Sequence, residues 1–217
     1  MNLEQARFNM VEQQIRPWEV LDKAVLAALM QLKREQFVPP QSIAVAYADI
    51  EIPLPHGQTM LPPRVDARLV NDLALQGSES VLEIGTGSGY LCALLALKAR
   101  KVLSFEIHAD LAQQALRHLA QAGISNAQVR SGNGAHGASS EGPFDAIVLG
   151  GSVHAVPQVL LEQLSLGGRL IAIEGEDPVM QATLHTRAGP QSWRSQSLWD
   201  TVAPPLQGFA QPSAFHF

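Results

Sequence analysis

The sequence predicts an α/β protein: a mostly parallel sheet with helices on both faces. Three observations predict it. From residue 80 onward, short apolar β-rich runs alternate with helical segments of about 10–15 residues, the pattern of βαβ units. A glycine-rich turn joins the first run to the first of these helices. The last two runs follow one another with no helix between them, which adds an antiparallel C-terminal edge.

Residues 3–16 carry Phe8, Val11 and Ile15 on one helical face, and Pro17 stops the segment. Asp22 is placed to cap a second helix, "KAVLAALMQL", whose apolar face is Val25, Leu26, Leu29 and Met30; "FVPP" ends it. Residues 1–45 thus read as an N-terminal helical cap, either a packing appendage or a gate. Residues 46–217 read as the main domain, which with the cap makes a single globular unit. It opens with a Pro-rich loop to residue 63, long enough to suggest a functional lid. "VDARLVNDLAL" follows as a helix with Val65, Leu69 and Leu73 a turn apart. Then come the strand "SVLEI", the helix "YLCALLALKA", the strand "KVLSFEI" and the helix "ADLAQQALRHLAQAG". The strands "AQVRSG" and "FDAIVLG", a helix near "PQVLLEQL", and the strand "GGRLIAIEG" complete the alternation. "VMQATLHTRAG" and "SWRSQSLWDTV" are the closing antiparallel pair, with Trp193 and Trp199 as strand-packing side chains.

Composition narrows the function. The 217 residues are 46% hydrophobic and 16% charged, with a net charge of -5. That is a globular composition. A mildly acidic surface disfavours nucleic acid, whose binding relies on Lys and Arg. "MNLEQARFNM" lacks the apolar run of a signal peptide, and "YLCALLALKA", closed by Lys98, is too short to span a membrane. The single cysteine, Cys92, cannot form an internal disulfide, and it sits among leucines as a small buried hydrophobe. A cytoplasmic protein without a membrane partner is expected. Of seven histidines, His56, His136 and His154 fall in loops without a second ligand at metal-binding spacing, so no metal is expected. Ser88 sits one place off a hydrolase elbow. Asp145, at the start of an apolar strand, reads as a structural carboxylate.

The chemistry lies in "VLEIGTGSGYL". Gly85, Gly87 and Gly89 fall between a strand and a helix, where glycine permits positive φ and close approach of a ligand to the backbone. A dinucleotide site would show G-x-G-x-x-G, with a pyrophosphate on the helix N-terminus. Here Tyr90 stands where the third glycine would be, and Glu83 precedes the turn. A carboxylate there repels phosphate. It suits the ammonium group of S-adenosylmethionine, a cationic cofactor without phosphate. Glu106 ends the next strand about 20 residues on, where an acidic residue accepts hydrogen bonds from ribose hydroxyls. Asn133, in "SGNGAHG", can hydrogen-bond an adenine edge, and Gly134 leaves room for the base.

With these residues in view, the chain resembles the protein-L-isoaspartate O-methyltransferases, a family of S-adenosylmethionine-dependent methyltransferases. The matching stretches are "REQFVPP", "AYADIEIPLPHGQT", "VLEIGTGSGYLCALLA", "VLSFEI", "SGNGAHG", "PFDAIVLGGSVHAVPQVLLEQLSLGGRLI" and the hydrophobic C-terminal tail. "AYAD…GQT" is the most specific of them. The resemblance implies a Rossmann-like seven-stranded methyltransferase sheet and S-adenosylmethionine as cofactor. It also implies methyl esterification of the free carboxylate of L-isoaspartyl residues in damaged proteins or peptides. By position, Glu83, Gly85 and Gly87 cradle the methionine part, Glu106 the ribose, and Asn133 (often Asp in the family) and Gly134 the adenine. Gln58, Thr59, Thr86 and Gly89 complete the cofactor set, and Thr59 flanks the substrate as well.

One position departs from the family. Its loop follows G-x-x-Q-T-I-S-x-P, with a serine at the reaction centre, whereas "HGQTMLPP" places Leu61 there. Thr59 and Leu61 are thus the catalytic positions, one of them substituted. The acceptor carboxylate has a pKa near 4 and is ionised at pH 7, so it needs no general base. A missing charge-assisted hydrogen bond costs about 1.5–3 kcal/mol, or roughly ten- to a hundredfold in rate. Two other readings stay open at this stage: a methyltransferase of the same fold with a different, less polar acceptor, and a cofactor-binding protein without turnover.

Overall fold

A computed structural model describes residues 2–210; residues 211–217, the end of the hydrophobic tail, lie outside the described residues. Nine strands and six α-helices are present among them.

The N-terminal cap begins with α1 (Leu3–Asn9), which passes into a wider π-helical stretch, Met10–Ile15, and a 3₁₀ turn, Arg16–Trp18. The single helix expected over residues 3–16 is therefore broken. The π stretch shifts the buried face onto Met10, Val11 and Ile15, while Phe8 is left exposed. The second cap helix, α2 (Lys23–Gln31), starts as expected: the Asp22 carboxylate accepts from the N–H groups of Ala24 and Val25.

The Pro-rich segment is less irregular than its composition implies. It holds a small hairpin of β1 (Ile52–Pro53) and β2 (Thr59–Met60). Between them, His56 (φ 59°) and Gly57 (φ 67°) both take left-handed backbone, and the N–H of Gln58 donates to the Pro55 carbonyl at 3.2 Å. Two consecutive positive φ values make this a type I′ hairpin turn, which Gly57 eases. Pro62 and Pro63 then launch α3 (Pro63–Asp72), with proline at the first helical position.

The main sheet contains β3 (Ser80–Ile84), β4 (Lys101–Glu106), β5 (Ala127–Ser131), β6 (Phe144–Val153), β7 (Leu164–Glu176), β8 (Val179–Gly189) and β9 (Ser192–Asp200). Its seven strands run in the order β5-β4-β3-β6-β7-β8-β9. β3 to β7 are parallel, β8 is antiparallel to β7, and β9 is antiparallel to β8. Asp145 accepts from the Ser80 N–H at 2.9 Å, tying β6 to β3 in the structural role expected of it.

Side chains alternate between two buried layers, as the period of a strand requires. Val81, Val102, Val148 and Ile171 face one layer together with α2, α3, α4 (Tyr90–Lys98) and α5 (Ala109–Gln121). α4 is buried on nearly every side between sheet and cap, which explains its unbroken apolar run. Leu82, Leu103, Ile147 and Leu170 face the other layer. That face carries only one short helix among the described residues, α6 (Gln158–Leu161), well short of the segment expected near "PQVLLEQL". The loop after β5 and Phe209 pack beside it. The cap residues share one apolar core with the sheet.

This topology places the site. The chain leaves β3 toward β4 on one side and returns to β6 on the other, so a crevice opens beyond the C-terminal ends of these strands.

Candidate active site

The glycine-rich turn sits at that crevice. Gly85 (φ 94°), Gly87 (φ 53°) and Gly89 (φ 88°) all hold left-handed backbone. Its amides are engaged within the protein. Gly85 and Thr86 donate to the Phe105 carbonyl at 2.9 and 3.2 Å, and Gly89 donates to Thr86 at 2.9 Å. Gly87 donates to Glu106 Oε2 at 2.8 Å. A phosphate-binding loop keeps such N–H groups free for its ligand. Here four of them are spent within the protein, one on the Glu106 carboxylate.

Two small pockets share Gly85 in their lining. The first is lined by Thr59, Leu61, Asp66, Thr86, Gly87 and Tyr90, among others. The second is lined by Gln58, Glu106, Gly132, Gly134 and Leu206. Gln58 and Thr59, adjacent in the hairpin, thus face the two halves of one cleft. Gly134 is needed for space, because a Cβ there would lie 2.7 Å from Ile84 and 2.9 Å from Phe105.

Glu106 is almost fully buried, and its second oxygen accepts from the His108 N–H at 3.0 Å. One carboxylate therefore holds both the turn and the exit from β4. Thr86 is buried, with its hydroxyl 2.5 Å from Ser104 Oγ. Gly89 caps α4, and a Cβ would stand 3.2 Å from Ala115, so its role is close packing of α5 against the turn.

Two expected residues sit differently from the sequence reading. Asn133 is exposed and lines neither pocket; its Oδ1 accepts from the Ala135 N–H at 2.9 Å, and Gly208 packs against its amide. Glu83 lies beneath the turn and is fully buried. It stands opposite Ser104 in the parallel register, whose hydroxyl donates to Glu83 Oε2 at 2.5 Å, while Oε1 has no partner. Burial is the largest influence on this group and pushes its pKa up to about 8. At pH 7 the free protein therefore holds Glu83 mostly neutral, and its influence reaches the turn through Ser104 and Thr86.

A pH dependence follows. The folded pKa lies above the ordinary value of 4.5, so folding favours the protonated form. The stability linked to Glu83 is complete below that value and is lost as pH rises through about 8. Glu83→Gln should flatten the fall of Tm between about pH 4.5 and 8. Identical slopes in the two proteins would contradict the assignment.

The reading of the sequence missed a buried network on the other wall. Arg34 is fully buried. Its Nη1 donates to Asp66 Oδ2 at 2.9 Å and its Nη2 to the Leu61 carbonyl at 2.7 Å. The guanidinium lies 4.5 Å from the centre of the Tyr90 ring. One side chain thus joins the cap, the hairpin exit, α3 and α4. Burial outweighs the Arg34 charge on Asp66 and raises its pKa to about 6. Gly150 was also missed: a Cβ there would come 2.6 Å from the Gly85 carbonyl oxygen. Gly150→Val should push β6 off the turn and weaken cofactor binding at least about tenfold; unchanged binding in calorimetry would refute that contact. Leu61 is buried and lines the first pocket.

His56 stacks on His108, with ring centres 4.2 Å apart, and its Nε2 lies 2.9 Å from Asp110. It latches the hairpin to the end of β4 and lines neither pocket. Among the described residues, no group of His, Cys, Asp and Glu could hold a metal ion. No helix among them is long and apolar enough to cross a membrane.

The residues present fit S-adenosylmethionine: a glycine-rich turn whose amides bond within the protein, and a buried carboxylate, Glu106, lining the adjoining pocket. Comparisons agree. The family model of protein-L-isoaspartate(D-aspartate) O-methyltransferase matches residues 5–195. The chain is 42% identical over 203 residues to protein-L-isoaspartate O-methyltransferase 1 of Rhodopseudomonas palustris, covering 93% of this chain and 83% of that protein. It is 44% identical over 169 residues to the Methanoculleus marisnigri protein of the same name, covering 78% and 77%. A solved protein-L-isoaspartate O-methyltransferase superposes with a TM-score of 0.81 at 24% identity, over 93% of this chain and 66% of that one. A Plasmodium falciparum structure carrying the family's name, in complex with S-adenosyl-L-homocysteine, gives 0.78 at 24% identity, over 95% and 99%. These two establish the shared fold. With the family match spanning most of its length, this chain belongs to the protein-L-isoaspartate(D-aspartate) O-methyltransferase family.

Proposed function

We propose that this protein transfers the methyl group of S-adenosylmethionine to the free carboxylate of L-isoaspartyl residues in damaged proteins or peptides, a repair reaction. The observation that carries the reading is the meeting of two elements at one cleft. The hairpin residues Gln58, Thr59 and Leu61 and the glycine-rich turn line the same pair of adjoining pockets.

The cofactor, when bound, supplies an electrophilic methyl group. Glu106 and Gly134 line the second pocket, where the carboxylate can accept from the ribose hydroxyls and the glycine can admit the base. Gly85 and Gly87 let a ligand approach the backbone of the turn. What the protein contributes to the transfer is placement. The acceptor carboxylate is ionised at pH 7, so the site needs no base. Leu61 supplies no hydrogen bond, but its buried side chain keeps water from the reaction pocket. Its carbonyl accepts from Arg34 Nη2, which ties the hairpin exit to the cap beside the first pocket. The substrates are damaged polypeptides, and the acidic chain is not built for nucleic acid. The buried free cysteine suits a reducing, cytoplasmic compartment.

The test uses labelled S-adenosylmethionine and paired peptides that differ only in isoaspartate or aspartate. Base-labile label on the isoaspartyl peptide alone is the expected result. Label on neither peptide, with tight cofactor binding, would overturn the reading. Base-stable label on another component of a cell extract would point to a different acceptor.

A further inference from the structure

Buried hydrogen-bonding groups are almost always paired, and each exception calls for an explanation. The pocket beside the glycine-rich turn holds two exceptions. Thr59 Oγ1 and the Tyr90 hydroxyl both line or border it, both are inaccessible, and neither has a partner. Tyr90 as a whole is 1% exposed. The two come from different walls, the hairpin strand β2 and the first position of α4. Leu61, two residues from Thr59, offers the pocket no polar side chain.

We propose that the Tyr90 and Thr59 hydroxyls form a donor pair for a ligand carboxylate in this pocket. This rests on the methyltransferase reading above and deepens it by naming groups that hold a reactant. The sign of the ligand follows from the surroundings. Burial is the main reason that the Tyr90 phenol is pushed well above its ordinary range, with Asp66 adding to it and Arg34 opposing, so the phenol stays protonated and can donate. Arg34 stacks on the same ring and lies beside the phenol oxygen as a donor, which leaves the phenol O–H itself free to donate. Two unused hydroxyls, one from each wall of the pocket, can both donate to one carboxylate, which accepts through both oxygens. Asp66 does not fill the role, because its carboxylate is taken by Arg34 Nη1 at 2.9 Å.

Two reactants bring a carboxylate to this place: the polypeptide acceptor and the amino-acid part of the cofactor. Tyr90→Phe and Thr59→Val, each removing one hydroxyl at nearly constant shape, distinguish them. The measurements are Kd for S-adenosylhomocysteine and for its decarboxylated analogue by calorimetry, and KM for an isoaspartyl peptide. If the pair holds the cofactor's carboxylate, Kd for S-adenosylhomocysteine rises about five- to tenfold while Kd for the decarboxylated analogue does not move. If it holds the acceptor, KM for the peptide rises by a similar factor at unchanged Kd. All three constants within about twofold of wild type in both variants would overturn the proposal. Should Tyr90→Phe melt well below wild type, Thr59→Val decides. Should wild type fail to turn over the isoaspartyl peptide, the activity reading falls on its own, and the pair is judged on S-adenosylhomocysteine alone: unchanged Kd then overturns it.

Discussion

Arg34→Met should destabilise the folded protein by about 3–5 kcal/mol at pH 8, the usual effect of leaving a buried charge without its partner. For a chain of this size each kcal/mol moves Tm by about 2–4 °C, so a fall of roughly 10 °C is expected. The cause is specific. Arg34 is the cation beside Asp66, the donor to the Leu61 carbonyl and the base on which the Tyr90 ring rests. The loss should depend on pH. Asp66 titrates at about 6 in the intact protein, above its ordinary 3.8, so its ionisation already opposes folding as pH rises through that value. Without Arg34 the folded pKa rises further, and the opposition extends to higher pH. The gap between Arg34→Met and wild type should therefore be small near pH 5 and widen toward pH 8. Adding Asp66→Asn should recover much of the loss. A single variant as stable as wild type at pH 8, or a double variant no better than the single, would show that the pair is not coupled.

Glu106→Ala should weaken cofactor binding more than any other single change at the ribose end. The carboxylate accepts two backbone N–H bonds, from Gly87 at 2.8 Å and His108 at 3.0 Å. Removing it frees the turn and takes away the acceptor for the ribose hydroxyls. One charge-assisted bond is worth about 1.5–3 kcal/mol, so Kd should rise roughly ten- to a hundredfold, with the loosened turn adding to it. Glu106→Gln, which keeps one acceptor oxygen, should lie between. Calorimetry with S-adenosylhomocysteine reads both. Wild-type affinity in Glu106→Ala would remove the ribose assignment.

The contrast between these two residues shows what the sequence could and could not reveal. The place of Glu106 was legible because it is local: an acid that ends the strand beside a glycine turn, bonded to that turn. The alternating strands and helices were legible for the same reason, since period and turn chemistry act over a few residues. Arg34 was not. In "REQFVPP" it looks like an ordinary charge at the end of a helix, and its partners lie 27 and 32 residues away. Asp66 is hidden likewise, one charged residue in a helix whose visible pattern is Val65, Leu69 and Leu73. Glu83 was found, but its direction was misjudged. Strand alternation cannot tell that Ser104 of the neighbouring strand stands opposite and draws the carboxyl beneath the turn. Gly150 needed the sheet order, because its only reason is the Gly85 carbonyl across the strand. The break in the first helix was invisible because a π turn changes the buried face without changing composition.

The central claim is that a site with leucine at the family's serine position still esterifies isoaspartyl carboxylates. The chemical fate of the substrate tests it most directly. An isoaspartyl peptide is incubated with enzyme and S-adenosylmethionine, then followed by chromatography against synthetic isoaspartyl and aspartyl standards. The expected result is a transient methyl ester that closes to the succinimide and reopens in part to the aspartyl peptide, with no change in the aspartyl control. An isoaspartyl peptide that emerges unmethylated and unconverted, from protein that binds S-adenosylhomocysteine tightly, would contradict the claim.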